Sequence, residues 1–93
     1  MIQSFKNKET EVFYHTGKSR KIDPQIQERA LIRLQRLNAA TSVDDLRFPH
    51  SHNLEKLTGD RKDYWSIRIN RQWRVCFSWA GDNAYDVEIV DYH

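Results

Sequence analysis

The stretch YWSIRINRQWRVCFSW, residues 64–79, reads as two β-strands and the turn between them. Tyr64, Ser66, Arg68 and Asn70 alternate with Trp65, Ile67 and Ile69, the two-residue period of a strand with one buried face. Past Arg71 and Gln72 the alternation resumes. Trp73, Val75, Phe77 and Trp79 take one face, and Arg74, Cys76 and Ser78 take the other. A turn at residues 70–72 folds the two runs into an antiparallel hairpin. The hairpin is expected to bury its aromatic row and to present Arg68 and Arg74 on the opposite face.

Working outward, 93 residues predict a single domain spanning 1–93. A chain of this size buries roughly 60–65% of its unfolded surface, enough for one small core and no internal cofactor cavity. Three tryptophans and 39% hydrophobic residues place it among globular chains. No apolar run approaches the ~20 residues of a membrane span, and Met1-Ile2-Gln3 opens no signal peptide. Cys76 is the one cysteine and falls inside an apolar strand. That excludes a disulfide framework and fits a reducing cytoplasm. Charge is distributed unevenly. Residues 1–38 carry eight Lys or Arg against four Asp or Glu, and residues 81–93 carry none against four. A basic body with an acidic end suits a partner such as RNA, although it is also compatible with ordinary surface charge.

Ile2, Ser4 and Phe5 read as a short edge strand. Residues 7–15 read as a helix with Asn7 as N-cap and Gly17 as its stop. Lys18, Arg20 and Lys21 make a basic linker that could contact phosphate. Asp23-Pro24 predicts the start of a second helix, N-cap followed by first-turn proline. Ile26, Ala30, Leu34 and Leu37 recur along it at helical spacing, with Leu31 and Ile32 broadening the apolar side. Arg29, Arg33 and Arg36 fall on another face, either solvated or tracking a nucleic-acid backbone. The helix should end at residues 38–40 and be followed by a capped turn. RFPHSHN, residues 47–53, reads as a loop. A strand at 54–58, a turn at Gly59-Asp60 and a charged connector at 61–63 lead into the hairpin. After a turn at 81–83, Tyr85, Val87 and Ile89 alternate with Asp86 and Glu88 in a last strand. The order predicts an α+β domain with helices on one face of an antiparallel sheet.

No Gly-rich phosphate loop, Cys-x-x-Cys pair, His-Glu-x-x-His helix or Gly-x-Ser-x-Gly elbow is present. His50-x-His52 lacks a fixed-spacing third ligand and reads as a surface loop with two histidines. What remains is a metal-free set: Arg68, Arg71 and Arg74 on the hairpin, Lys56 on the preceding strand, and Asp91-Tyr92-His93 at the end. Such a set suits RNA cleavage by internal transfer, in which the ribose 2′-OH attacks its own 3′-phosphate. Arginine stabilises the phosphorane because its fork fits phosphate oxygens and stays charged. Histidine moves protons near neutral pH because its reference pKa is about 6.5. Taken singly, each arginine also reads as a surface residue, and His93 as a frayed terminus.

Residues 59–79, GDRKDYWSIRINRQWRVCFSW, and the ending VEIVDYH resemble the HigB toxins, the killer-protein branch of the RelE/ParE superfamily. The opening MIQSFKNKETEVFYHTGKSRK is similar to that family's start, so the resemblance spans the chain. Its specific parts are SIRIN-x-QWR-x-CF and EIVDYH. The resemblance implies a compact RelE-like fold, with two N-terminal helices packed on a twisted, mainly antiparallel sheet. It implies the toxin of a type II toxin–antitoxin pair, acting as a ribosome-dependent endoribonuclease on mRNA in the A site, with no cofactor and no metal. The implied partners are a HigA-like helix-turn-helix antitoxin, the ribosome with its small-subunit rRNA, and mRNA. Operator DNA enters only through the antitoxin, and no membrane is involved. Arg68 matches the arginine of the SIRIN strand, Arg74 that of the QWR motif, and Asp91, Tyr92 and His93 the DYH terminus. One departure is Thr58, where relatives often carry lysine before the Gly-Asp-Arg turn; either Lys56, two residues earlier, replaces that charge from a shifted position, or the protein is less active. Lys56, Arg71, Lys18, Arg20, Lys21, Arg29, Arg33 and Arg36 are the expected RNA contacts. A ParE-like gyrase inhibitor on the same fold, or a non-catalytic RNA-binding module, is the alternative.

Overall fold

A computed structural model gives the fold and describes residues 1–57 and 63–91. Asn7 opens the first helix, α1 (Lys8–Thr16), by accepting the Thr10 N–H at 2.8 Å on its side chain. Gly17 closes it in the left-handed region at φ 74, where its N–H reaches the Phe13 carbonyl. A side chain there would be strained whatever the space around it.

The second helix, α2 (Gln27–Ala39), begins three residues later than Asp23-Pro24 predicts. The Asp23 carboxylate accepts the Gln25 N–H at 2.9 Å, and the Asp23 carbonyl accepts the Ile26 N–H at 3.0 Å. These residues therefore form a turn ahead of the helix. Ile22 and Ile26 are buried on either side of it and pull the entry into the core. Ala30, Leu34 and Leu37 are buried as expected, whereas Ile32 is 44% exposed. A short 3₁₀ turn, Val43–Arg47, follows with a capping box between Ser42 and Asp45. Backbone N–H groups of Thr41 and Ser42 hold the Asp45 carboxyl below the usual carboxylate range.

The described sheet has the order β1-β2-β3-β4, with β1 (Glu55–Lys56), β2 (Tyr64–Arg68), β3 (Trp73–Ala80) and β4 (Asn83–Asp91), each pair antiparallel. The hairpin register places Trp65 opposite Phe77, Ile67 opposite Val75 and Arg68 opposite Arg74. Asn70 builds the turn by accepting the Gln72 and Trp73 N–H groups, both at 2.8 Å. The predicted N-terminal edge strand appears as two parallel bridges to β4, Ile2 with Ala84 and Phe5 with Val87. The strand predicted at 54–58 is seen at Glu55–Lys56; the turn predicted at 59–60 and residues 61–62 of the connector predicted at 61–63 lie outside the described residues.

The core lies between the helices and the aromatic row of the sheet: Phe13, Leu34, Leu37, Ile67, Ile69, Val75, Phe77 and Val87 are buried, with Trp65 and Trp73 partly buried against them. In β4 a bulge places two residues against Phe77, with Asp86 at φ 52. The alternation therefore slips one step, and Ala84 rather than Tyr85 is buried ahead of the bulge. The polar row is covered too: Ser66, Arg74 and Cys76 are buried. No helix among the described residues is long and apolar enough to cross a membrane.

Candidate active site

Arg74 is the best-anchored charged group of the hairpin. Sequence alternation puts it on a face expected to be open, yet it is only 6% exposed. Its Nε donates to Ser66 Oγ at 2.8 Å, and its Nη2 donates to the Asn53 carbonyl at 2.7 Å and the Ser66 carbonyl at 3.3 Å. The Nη1 atom stands 3.9 Å from Glu55 Oε1. The local fold explains this arrangement. β1 pairs with β2 so that Glu55 lies opposite Ser66, bringing its carboxylate into the Ser66–Arg74 row. Asn53, left-handed at φ 44, ends the 3₁₀ turn His50–His52 and leaves its carbonyl for Arg74. Asn53, Glu55 and Ser66 are thus site residues that sequence reasoning missed. Only the strand register identifies Glu55, and the sequence does not encode that register locally.

Arg68 is Arg74's direct cross-strand partner, but its side chain goes elsewhere. Its Nε donates to the Asn70 carbonyl at 3.0 Å. It then lines a cavity of about 380 Å³ with Arg29, Arg33, Ser51, Ile69, Asn70 and Arg71. Arg33, expected on a solvated or RNA-tracking face, is in fact buried. It stands three residues after Ala30 and four before Leu37, so it shares the core-facing side of α2. Its Nε donates to the Arg68 carbonyl at 3.0 Å and its Nη2 to Ser51 Oγ at 3.3 Å.

The other expected residues are dispersed. Lys56 lies opposite Trp65, with Nζ 5.5 Å from that ring's centroid, so it belongs to the aromatic row and not to the row of Arg74. Asp91 lies opposite Trp73, also in the aromatic row, and accepts from Gln72 Nε2 at 2.8 Å. Tyr92, His93 and Thr58 lie outside the described residues. Arg36 lines a separate cavity with Asp45, Phe48 and His52. Lys18, Arg20 and Lys21 line a groove beside α1 that shares no residue with the arginine cavity. There Lys21 is 2.6 Å from Glu9, whose hydrogen bond and charge raise the lysine's pKa.

His50 and His52 do not form the surface pair expected of RFPHSHN. His50 is exposed against Phe48, whereas His52 is fully buried. Among the described residues no group of three His, Cys, Asp or Glu side chains could hold a metal. His52 Nδ1 pairs with the Leu46 carbonyl at 3.0 Å, so that nitrogen carries the proton, and Nε2 is buried without a partner among the described residues. Burial lowers the imidazole pKa, outweighing the Leu46 hydrogen bond, and the charges of Arg33 and Arg36 lower it further. Below the histidine reference of about 6.5, the unfolded chain therefore takes up a proton that the folded chain resists. Stability should be complete above that value and fall on acidification. Urea midpoints at about pH 7.5 and about pH 5.5, either side of that reference, should differ more for the native chain than for His52→Gln. Equal differences would show that the ring does not govern the acid response.

Comparison with known proteins gives the family and the fold. Residues 3–93 match the model of the HigB-like toxin family, described as the RelE-like toxin of the type II toxin–antitoxin system HigB. The chain is 34% identical to "Endoribonuclease HigB" of Proteus vulgaris over 93 residues, with both proteins fully covered. It is 41% identical to "Toxin HigB-1" of Vibrio cholerae over 81 residues, covering 86% of this chain and 85% of that one. Two solved structures share the fold. A YafQ mutant from E. coli superposes with a TM-score of 0.65 at 11% identity, covering 98% of this chain and 93% of that one. YoeB in the YoeB–YefM complex from Staphylococcus aureus superposes with a TM-score of 0.62 at 14% identity, covering 100% and 98%. With its helices on one face of an antiparallel sheet and its arginines on the hairpin, the chain belongs to the HigB-like family of RelE-like toxins in type II toxin–antitoxin systems.

Proposed function

We propose that this toxin cleaves mRNA on the ribosome by internal transfer. The O2′–P bond forms, the P–O5′ bond breaks, one proton leaves O2′ and one arrives at O5′. The observation that carries this reading is the Glu55–Arg74–Ser66 arrangement, a fixed guanidinium beside a half-exposed carboxylate. Arg74 and Arg68 stabilise the phosphorane. Glu55 accepts the O2′ proton, His93 delivers the proton to O5′, and Tyr92 stacks on or positions the nucleotide. Asp91 acts from the neighbouring row by tuning His93. Proteus vulgaris HigB, named an endoribonuclease, supports the reaction class.

The described site has few groups that could align a nucleotide, so the ribosomal A site supplies the positioning. The toxin works in the cytoplasm, and a HigA-like helix-turn-helix antitoxin restrains it and carries the operator binding. Purified protein should cut mRNA on programmed ribosomes, leaving 2′,3′-cyclic phosphate and 5′-hydroxyl ends, and cut free RNA poorly. Activity should survive a chelator. Equal cleavage of free RNA would remove the ribosome from the mechanism. Intact mRNA with DNA damage on expression would favour a gyrase-directed toxin instead.

A further inference from the structure

Among the described residues, the cavity of about 380 Å³ between α2 and the β2–β3 turn is lined by four arginines, Arg29, Arg33, Arg68 and Arg71, and by no carboxylate. Among the described residues none of the four is ion-paired. Neutral partners hold three of them in place. Arg29 Nη1 donates to the Ile69 carbonyl at 3.3 Å, Arg33 Nε to the Arg68 carbonyl at 3.0 Å and Arg68 Nε to the Asn70 carbonyl at 3.0 Å. Carbonyls orient these forks without cancelling their charge. Arg33 is 9% exposed, so its charge is held largely out of water. Burial lowers its pKa first, and the charges of Arg29 and Arg36 lower it further. An anion in the cavity would offset both effects.

We propose that this cavity binds one backbone phosphate of single-stranded RNA, next along the strand from the scissile one, and reads no base. The ligand rests on the RNA-cleaving reading above. Arg68 and Arg74 face each other across β2 and β3, with Cα atoms about 4.5–5.5 Å apart in such a pair. Arg68 serves the phosphorane with Arg74 and also lines this cavity, so a strand whose scissile phosphate lies at that pair presents its neighbouring phosphate to Arg29, Arg33 and Arg71. The volume sits at the small end of the roughly 300–1,000 Å³ range of ligand sites and takes a phosphate with its ribose. Among the described residues the lining holds no aromatic ring, so they offer no stacking platform. Guanidinium contacts to phosphate fix register and carry no sequence information.

The test uses Arg29→Gln/Arg71→Gln, which leaves buried Arg33 in place. Arg71→Gln alone is a second variant, because Arg71 is exposed and makes no side-chain hydrogen bond among the described residues. The probe is fluorescent 2′-O-methyl hexauridylate, which lacks the nucleophile and stays intact. Its anisotropy is titrated at several salt concentrations, with circular dichroism as the check on folding. The double variant should bind more weakly, and its log–log salt slope should be shallower by about 0.7, the value of one single-strand phosphate contact. The hexacytidylate should lose as much. On programmed ribosomes KM should rise about tenfold, the scale of a lost charged contact, with codon preference unchanged.

Unchanged binding and slope would overturn the proposal, as would a loss confined to one base. Stronger stabilisation of the native protein by inorganic pyrophosphate than by the oligonucleotide would assign the cavity to a free anion and overturn it as well. Oligonucleotide binding that depends on these arginines in a protein that cuts no mRNA would uphold the cavity and sink the cleavage reading.

Discussion

Arg74→Ala should lose toxicity and also roughly 3–5 kcal/mol of folding stability, because this guanidinium makes buried charge-assisted hydrogen bonds. Strand alternation alone predicts a surface arginine whose removal leaves the fold intact. In the structure its side chain is 8% exposed, and its forks join Ser66 on β2, the Asn53 carbonyl and the Glu55 carboxylate. Truncation would leave the buried Ser66 hydroxyl and carbonyl and the part-buried Asn53 carbonyl without this donor. Against a typical stability of about 5–15 kcal/mol, such a loss threatens folding. Arg74→Lys keeps the charge but not the planar fork, so it should fall between the two. Arg68→Ala should behave differently. Arg68 is half-buried and spends one donor on the Asn70 carbonyl, so its loss should cost about 1 kcal/mol of stability. Cleavage should still fall roughly 10²–10³-fold, the scale of a lost transition-state donor. Urea midpoints measured beside growth arrest separate these effects. A native midpoint for Arg74→Ala would show that the guanidinium does not hold β1 and Asn53 in place.

The parts of the fold that could be read from sequence are those decided by neighbours in the chain. The hairpin followed from strict alternation and an Asn-led turn, and α1 from its Asn7 cap and Gly17 stop. The parts that could not be read depend on distant partners. The Asp23-Pro24 signal is a real cap, but of a turn that precedes α2, because Ile22 and Ile26 both enter the core there. The bulge opposite Phe77 depends on Asp86 taking a left-handed conformation, and the alternation of Tyr85, Val87 and Ile89 conceals it.

The same distinction applies to the site. Arg68 and Arg74 were legible as a pair because one turn separates them, but their divergence was not. It depends on β1 and on Asn53, which the chain brings in from earlier positions to hold Arg74, while Arg68 turns to the Asn70 carbonyl. Arg33 looked like a surface charge because arginine usually is one, although its spacing to Ala30 and Leu37 already placed it facing inward. Lys56 and Glu55 are adjacent, so the strand period sends them to opposite faces. The register gives the Arg74 face to Glu55 and leaves Lys56 on Trp65.

Glu55→Gln should slow cleavage on programmed ribosomes by roughly 10²–10⁴-fold while leaving the fold intact, the range of a lost general base. The amide keeps the size of the carboxylate, and its site is half exposed, so stability should change by only about 1 kcal/mol. Loss of rate alone would not separate a base from a residue that merely steadies Arg74, since Glu55 Oε1 is 3.9 Å from that guanidinium. The pH profile makes the distinction. A base must be unprotonated and its partner acid protonated, so the rate has an acid-side and an alkaline-side limb. If Glu55 takes the O2′ proton, Glu55→His should recover part of the rate and move the acid-side limb toward about 6.5, the imidazole reference. Deleting His93 should instead remove the alkaline-side limb and leave the acid side unchanged. A residue that only positions Arg74 would move neither limb, and a histidine there would restore nothing. Single-turnover rates for the native chain, Glu55→Gln, Glu55→His and the His93 deletion, measured across the interval around the imidazole reference, decide the assignment. An unshifted acid limb in Glu55→His would remove Glu55 from proton transfer and return the search to Asp91 and Tyr92.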